Sequence, residues 1–342
     1  MATQQEDGGV PFSIAHETQH FRLLELPPDV VELIEAPNPP PLFIKSLAPS
    51  AASGASHARP AYAVLCTPNK TFQLRQVQTS NSLFVTRPML ETHGNEIPIP
   101  ATCAIASCTA TLELHPSAAP AVSLLKDALP VYDIVAGDVD ATSNGRSKLS
   151  VFDDLPMSAG ECQAAWSDIM AFELDDGSYQ PSPNALTQVW RSINAAALAD
   201  GVKLDSQFLT LDITDAVAEE GHPPGLIKAI LAFLSVEGTD KNGAWSSLDR
   251  KRTVHFTGRM LLDAKRGSDF LIADFTDTWE DRLPEAWRKD AQLSAIDGVY
   301  EFPTKTTIRA KAGHASNGDS AAASAKPSAR KWHEKFDKTR KK

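Results

Sequence analysis

The hydrophobic pattern changes its period near residue 150, and this change constrains the fold more than any other feature of the chain. Before that point apolar and polar residues alternate in short runs, as from Cys108 to Leu114, which is typical of half-buried strands. After it, apolar residues recur three and four positions apart, as at Cys162, Ala165 and Trp166, which is typical of amphipathic helices. The sequence therefore predicts an α+β protein with a mostly-β first part and a helical second part.

The chain has 342 residues, which favours about two domains of roughly 150 residues each. Composition changes divide it into five segments. We predict a disordered leader at 1–20, a mostly-β domain at 21–132, a polar linker at 133–150, a helical domain at 151–310 and a basic tail at 311–342.

The first part is predicted to hold about six short strands. They are expected at Phe21–Leu26, Leu42–Ile44, Ala61–Cys66, Thr71–Val77, Leu83–Val85 and Cys108–Leu114, with turns at Thr67–Lys70 and Ser80–Ser82, a flexible loop at 48–60, an irregular stretch at 89–100 and helices after Pro27 and over Ala121–Leu129. Six short strands are few for a closed barrel, in which every sheet edge must be paired or covered. Another chain could complete the edges; the alternative is a small barrel complete by itself.

The second part is predicted to contain seven helices and a final strand at Val299–Phe302. Their predicted starts are Ser158 with a Glu161 capping box, Ser182-Pro183, Thr214, Pro223 or Pro224, Asp249, Ser268 and Pro284. Trp166, Trp190 and Trp279 lie on the apolar stripes, so we expect core anchors there. Tandem winged-helix domains fit this pattern, and an irregular helical bundle fits it equally.

Sequence motifs for catalysis are missing. The chain has no P-loop, G-x-G-x-x-G, H-E-x-x-H or G-x-S-x-G sequence. Its four cysteines form no C-x-x-C pair, which favours reduced thiols in the cytosol or nucleus, and His16 and His20 are expected to be solvated. We therefore predict no catalytic site, cofactor or metal; a hydrolase whose site is assembled from scattered residues is the alternative. No apolar run is long enough to span a bilayer.

The C-terminal tail is basic although the chain as a whole is acidic. The net charge is −10, whereas residues 311–342 hold nine basic and three acidic residues. Such a tail can neutralise DNA phosphates or serve as a nuclear localisation signal; a solvated tail is the alternative. The candidate DNA-binding residues lie in the tail and just after the predicted final strand: Lys305, Arg309, Lys311, Arg330, Lys331, Lys335 and Lys338.

Several longer motifs resemble those of the Dcc family of sister chromatid cohesion proteins. They are Phe21–Pro28, Ala63–Thr67, Lys70–Arg75, Thr79–Ser82, Met157–Gln163, Met170–Phe172 and Trp279–Pro284. Together they extend over roughly 21–308 in one order. Residues 37–60 and 87–106 depart from the family pattern and are expected to be variable loops.

The resemblance implies a non-catalytic subunit of the alternative replication factor C clamp loader. The first domain would form a composite β-barrel with the small and large chromosome-transmission-fidelity subunits. The second domain would be a winged-helix array that binds DNA and DNA polymerase epsilon, while other subunits hydrolyse ATP and load or unload the sliding clamp. The resemblance therefore implies a nuclear protein that acts in DNA replication and sister chromatid cohesion. The alternative is a stand-alone winged-helix DNA-binding adaptor associated with transcription. The candidate partner-interface residues are Phe21, Leu23, Leu26, Leu65, Phe72, Leu74, Ser80 and Asn81.

Overall fold

The computed structural model describes residues 10–46, 62–92, 97–134, 145–236 and 243–311. The fold mixes strands and helices, as the change of period predicts. The N-terminal part contains β1 (Phe12–Ile14), β2 (Leu23–Glu25), α1 (Pro28–Glu35), β3 (Phe43–Ser46), β4 (Ala63–Cys66), β5 (Thr71–Glu91), β6 (Ile99–Pro116) and α2 (Ala121–Ala128).

The remaining elements are mostly helices with very short strands between them. They are β7 (Val131–Tyr132), α3 (Lys148–Asp154), α4 (Ala159–Asp168), β8 (Phe172–Leu174), β9 (Gly177–Pro181), α5 (Pro183–Ala199), β10 (Phe208–Leu209), α6 (Thr210–Glu219), α7 (Pro224–Leu234), β11 (Trp245–Ser246), α8 (Arg250–Ala264), β12 (Phe270–Leu271), α9 (Ile272–Glu280), two 3₁₀ helices (Glu285–Asp290 and Leu293–Ile296), β13 (Tyr300–Glu301) and β14 (Thr307–Ala310).

One six-stranded sheet dominates the N-terminal part. Its order is β1-β6-β5-β4-β3, with β2 also beside β6; β1 and β2 run parallel to β6, and the other pairs are antiparallel. Two strands are far longer than predicted. Strand β5 has 21 residues and β6 has 18. The sheet is therefore built around one long two-stranded ribbon.

Three sequence predictions for this part are wrong. Ser80–Ser82 is an irregularity within β5 and does not end the strand, since pairing with β6 resumes at Leu83. Residues 89–91 and 99–100, predicted to be irregular, pair in the same ladder, and the predicted variable loop at 87–106 is largely strand. Residues 93–96 and the predicted flexible loop at 48–60 lie outside the described residues.

The predicted disordered leader also contains ordered structure. Phe12–Ile14 pairs with Thr102–Ala104 in β6. Beyond the strand, the backbone N–H of Gln19 donates to the carbonyl of Ile105 at 2.7 Å. Residues 1–9 lie outside the part that the structure describes.

The segment around the predicted linker joins the two parts by packing and by strand pairing. Helix α2 packs against α4, and its Leu125 shares a core with Val151 of α3 and Cys162 of α4. Strand β7 pairs with β9, and α3 begins at Lys148, within the predicted linker. Residues 135–144 lie outside the described residues, and the domain limits stay a prediction.

The helical part has one large core, which includes buried residues from Met170 to Ala310. Trp190 and Trp279 are fully buried in it, and Trp166 is buried in the smaller core beside α4, so the three core anchors are confirmed. Two small antiparallel sheets lie among these helices, β10-β11 and β12-β14-β13. No helix in the described ranges is both long enough and apolar enough to cross a membrane.

Three of the seven predicted helix starts are confirmed by their caps, whereas the start predicted at Thr214 is wrong, because α6 begins at Thr210, directly after β10. The Ser158 and Glu161 capping box is present, and the side chains of Ser182 and Asp249 accept from the first turns of α5 and α8. The predicted cap at Ser268 is wrong, because Leu271 pairs with β14 and α9 begins at Ile272. Leu271, expected on the apolar face, is 52% exposed.

Candidate functional site

The long ribbon exposes an unusual number of large apolar side chains. We call this group the ribbon surface. Its members lie on β1, β5 and the start of β6: Phe12, Ile14, Val77, Leu83, Phe84, Met89, Leu90 and Ile99. Ile14 and Leu90 are each 64% exposed. Single exposed apolar residues are normal, whereas a group of this kind marks an interaction surface.

The side chains that the ribbon buries are small. On β6 between Ile99 and Cys108 the buried positions are held by alanine and cysteine: Ala101, Cys103, Ala104, Ala106 and Cys108. The larger apolar core of this sheet is limited to Val30, Leu65, Phe72 and Leu114, near α1. The distal ribbon thus contributes little large apolar surface to a core, while its large apolar side chains face outward.

Much of the outer edge of β5 has no strand beside it. Strand β4 pairs only with Thr71–Gln73. Along Leu74–Gln78 and Leu83–Leu90, β5 pairs with β6 on one side, and within the described ranges no strand lies on the other side. Exposed strand edges of this kind accept an additional strand from another chain.

Irregular pairing bends the ribbon. Gln78 pairs with Ala110 and Leu83 pairs with Cys108, so four residues of β5 stand opposite one residue of β6. Bulges bend a strand and increase its twist. The bend agrees with the position of Phe12, whose ring lies 5.9 Å from that of Phe84 although their partners on β6, Thr102 and Ser107, are five residues apart.

The predicted interface residues are divided between core and surface. Leu65 and Phe72 are buried in the small sheet core, with Leu26 and Leu74 packed against it. Leu23 is half-buried, whereas Phe21 is 45% exposed. Ser80 and Asn81 are exposed within the bulge.

Sequence reasoning missed most of the ribbon surface. The available signal was apolar runs such as Leu83-Phe84-Val85 and Met89-Leu90, which occur in a region predicted to consist of turn, short strand and loop. In a strand, adjacent side chains point to opposite faces. Both faces of this stretch therefore carry apolar groups, which is typical of a strand covered on two sides.

The structure describes three of the basic candidates. Lys305 is exposed between β13 and β14, and Lys311 is exposed just after β14. The guanidinium of Arg309 instead donates to Glu301 at 2.6 Å and lies 3.6 Å from Asp269. Arg330, Lys331, Lys335 and Lys338 lie outside the described residues.

The four cysteines are buried free thiols. Burial raises the pKa of the Cys162 thiol to about 11 and also raises the pKa of Cys66. Thiolates are the reactive form of cysteine, so both side chains behave as small apolar groups. Among the residues that the structure describes, no three His, Cys, Asp or Glu side chains are grouped to hold a metal ion.

A family model described as sister chromatid cohesion protein Dcc1 matches residues 21–312. The chain belongs to the Dcc1 family. Membership gives it a role in sister chromatid cohesion, and no curated protein matches the chain. The Dcc1 match includes β2 to β14, and within the ribbon surface only Phe12 and Ile14 precede it.

Proposed function

We propose that this Dcc1-family chain is a non-catalytic assembly subunit of the alternative clamp loader. The ribbon surface would receive β-strands of the small and large chromosome-transmission-fidelity subunits, which complete a composite barrel. The complex would act in the nucleus, where it loads or unloads the sliding clamp during replication and cohesion. The exposed apolar ribbon, with its open β5 edge, is the observation that supports this proposal.

The energetics favour a partner protein over solvent on this surface. Fully burying one Leu or Phe side chain contributes roughly 1.5–3 kcal/mol. Leu83, Phe84, Met89 and Leu90 are between 38% and 64% exposed, so covering what remains exposed would supply roughly 3–6 kcal/mol of gross stabilisation, and backbone pairing along β5 would add to it. Association itself costs about 4–15 kcal/mol, so an extensive interface including β1 and β6 is needed for a stable complex.

The helical part would hold the second set of partners. Under this proposal it is an array of winged-helix domains that links the clamp loader to DNA polymerase epsilon and to DNA. The exposed positions of Lys305 between β13 and β14 and of Lys311 just after β14 suit contacts with phosphates. The tail residues Arg330, Lys331, Lys335 and Lys338 would add sequence-independent DNA affinity.

A second candidate function is a stand-alone winged-helix DNA-binding adaptor. Exposed Lys305 and Lys311 favour this function, but a stand-alone adaptor does not explain the exposed apolar side chains of the ribbon surface. The two functions differ in one requirement, since only the clamp-loader subunit needs a partner chain on the ribbon.

Co-purification tests this requirement. The full chain is co-expressed with the small chromosome-transmission-fidelity subunit, either unchanged or as Leu83→Asp or Leu90→Asp. We expect each substitution to weaken or abolish capture, because it places a charge where an apolar contact forms. Leu149→Asp is the matched control, since Leu149 is 75% exposed in the first turn of α3, where an acidic residue is tolerated. Equal capture of all variants would exclude the ribbon as the interface.

A further inference from the structure

A proline lies within the exposed apolar part of β5. Pro88 pairs with Thr102 of β6 and is exposed, as are its neighbours Arg87 and Met89. Proline has no backbone N–H group, so in sheets it occurs almost only in edge strands, at positions where that group would face away from the neighbouring strand. The direction of the Pro88 nitrogen therefore determines which edge of β5 lacks a hydrogen-bond donor.

The hydrogen bonds of β6 show that the Pro88 nitrogen points away from the ribbon. The N–H of Thr102 donates to the carbonyl of Pro11 at 2.8 Å, and the carbonyl of Ala104 accepts from the N–H of Ala15 at 2.9 Å. Thr102 and Ala104 thus direct their backbone polar groups towards β1. In an antiparallel ladder, two opposite residues either exchange hydrogen bonds or both face outward. Because Thr102 faces β1, its partner Pro88 faces the open edge of β5.

The residues two positions before and after Pro88 present complete backbone groups at the same edge. Thr86 pairs with Ala104, which also faces β1, and the direction of backbone groups alternates along a strand. Thr86 and Leu90 therefore point outward as Pro88 does. Within the described ranges, no strand lies against this stretch of β5. The open edge offers an N–H and a carbonyl at Thr86 and Leu90 but only a carbonyl at Pro88.

The same stretch has the composition of a strand that pairs with copies of itself. Most of its residues are apolar: Leu83, Phe84, Val85, Met89 and Leu90. A second copy of this chain carries an identical open edge, and exposed apolar strands tend to pair edge to edge. Proteins oppose such pairing with a charge or with a proline at a position that makes no bond within the sheet. Arg87 and Pro88 supply both features.

The missing donor opposes a symmetric pair more than a pair of different chains. Two copies related by a two-fold axis make each contact twice. An antiparallel β5–β5 ladder that includes Pro88 of each copy would therefore lack a donor at two places. A strand from a different chain would lack a donor at one place, or at none if it ends before Pro88. A carbonyl left without a donor in a buried ladder weakens the association.

We propose that Pro88 is a specificity-determining residue of the open β5 edge. It prevents two copies of this chain from pairing through their ribbons and so keeps the edge available to a strand of a different chain. The identity of that second chain rests on the proposed function, whereas the effect of Pro88 on self-pairing does not. Pro88 acts through its missing N–H group, so its effect depends on the outward direction of the backbone at this position.

Sedimentation equilibrium of the full chain tests this role. Pro88→Ala places an N–H at the open edge of each copy. The dissociation constant of its dimer should be at least about tenfold lower than that of the unchanged chain, because two backbone donors are gained. Pro100→Ala is the matched control. Pro100 is exposed and pairs with Leu90, so its nitrogen points to the opposite edge of the ribbon, and the dimer dissociation constant should stay within about twofold.

A double substitution separates the missing donor from other effects of the alanine. Thr86→Pro combined with Pro88→Ala moves the proline two residues along the same edge. It removes no hydrogen bond to β6, because the N–H of Thr86 also points outward. Self-association of this variant should therefore return to the level of the unchanged chain.

Three results would overturn the proposal. They are an unchanged dimer dissociation constant in Pro88→Ala, equal gains in Pro88→Ala and Pro100→Ala, and a double variant that dimerises as strongly as Pro88→Ala alone. Capture of the small chromosome-transmission-fidelity subunit is measured separately. Failure of the unchanged chain to capture that subunit would contradict the proposed function and leave the sedimentation result unaffected, so the two failures are distinguishable.

Discussion

Gly258 allows α8 to approach α9 closely. A Cβ atom at this position would lie 2.6 Å from Cζ2 of Trp279 and 3.0 Å from Cγ2 of Ile296, and both residues are fully buried. Gly258→Ala should therefore destabilise the fold by about 2 kcal/mol, since overpacking outweighs the better helix propensity of alanine. Urea unfolding monitored by circular dichroism measures the loss.

A double-mutant cycle separates this clash from other effects of the alanine. Trp279→Phe removes the Cζ2 atom, so it should cost less in the Gly258→Ala chain than in the unchanged chain. Additive costs would show that the close contact does not limit stability.

The buried thiol of Cys162 makes stability depend on alkaline pH. Its pKa is about 11 in the folded chain, above the ordinary value of about 8.5 expected after unfolding. A raised folded pKa gives a contribution that is complete below about pH 8.5 and is lost as pH rises towards 11. We expect the unfolding free energy to fall by about 1.4 kcal/mol per pH unit in this window from this group alone.

Cys162→Ala provides the comparison for that prediction. The variant should be less stable near neutral pH, because it leaves a small cavity. Its unfolding free energy should nevertheless decline less steeply between about pH 8.5 and pH 10.5, since the titrating thiol is absent. Parallel decline in both chains would assign the alkaline loss to other groups.

Strand β5 contains three extra residues in the bulge at Ser80–Ser82. Four residues of β5 stand opposite one of β6 there, so deleting Ser80, Asn81 and Ser82 would restore a continuous register. We expect the deletion to keep the chain folded, to straighten the ribbon and to separate Phe12 from Phe84. Under the proposed function, capture of the small chromosome-transmission-fidelity subunit should then drop, which co-purification measures.

The control for the deletion keeps the length of β5. Ser80→Ala combined with Ser82→Ala removes two hydroxyls and leaves the register shift in place. This variant should capture the partner as well as the unchanged chain does. If the deletion variant also captures normally, the bend is not required for assembly.

Helix starts were predictable from the sequence because their determinants are local. Ser158 and Glu161 lie three residues apart, and the same short-range geometry applies at Ser182 and Asp249. Ser268 offered an equally good local cap. There the pairing of Phe270 with Ile308 prevailed, and such a distant partner leaves no local sequence signal.

The length of β5 and β6 and the location of the ribbon surface were not predictable in this way. Ser80–Ser82 has turn composition, yet pairing with β6 continues on both sides of it. Apolar residues indicated strands but not which faces would remain exposed. Leu65 and Leu83 are alike in the sequence, and only the positions of α1 and of the sheet core bury the first and leave the second exposed.

The sheet and the helical part are joined by polar contacts that bypass the chain connection. The ammonium of Lys45 on β3 donates to the carbonyls of Phe152 at 2.7 Å and Met157 at 3.1 Å. The N–H of Ser158 donates to Thr71 Oγ1 at 2.8 Å, and Thr71 in turn donates to Glu161. The α4 capping box is thus anchored on β5.

Removing the Lys45 contacts should weaken the contact between the sheet and the helical part without unfolding either part. Lys45→Met keeps the aliphatic chain but leaves two carbonyls without their charged donor, at a cost of about 2 kcal/mol. Hydrogen exchange should accelerate in α3 and at the start of α4, while amides of α7 and α8 in the large core keep their protection. Exchange read by mass spectrometry distinguishes these segments.

Lys70→Met is the matched control, because Lys70 is 66% exposed and pairs only across the surface with Asp29. It should leave exchange in α3 unchanged, since exposed ion pairs contribute about 0–1 kcal/mol. Equal acceleration of hydrogen exchange in both variants would mean that only the packing of α2 against α4 stabilises the contact between the sheet and the helical part. A difference between them would show that the Lys45 contacts stabilise α3 and the start of α4 against the sheet.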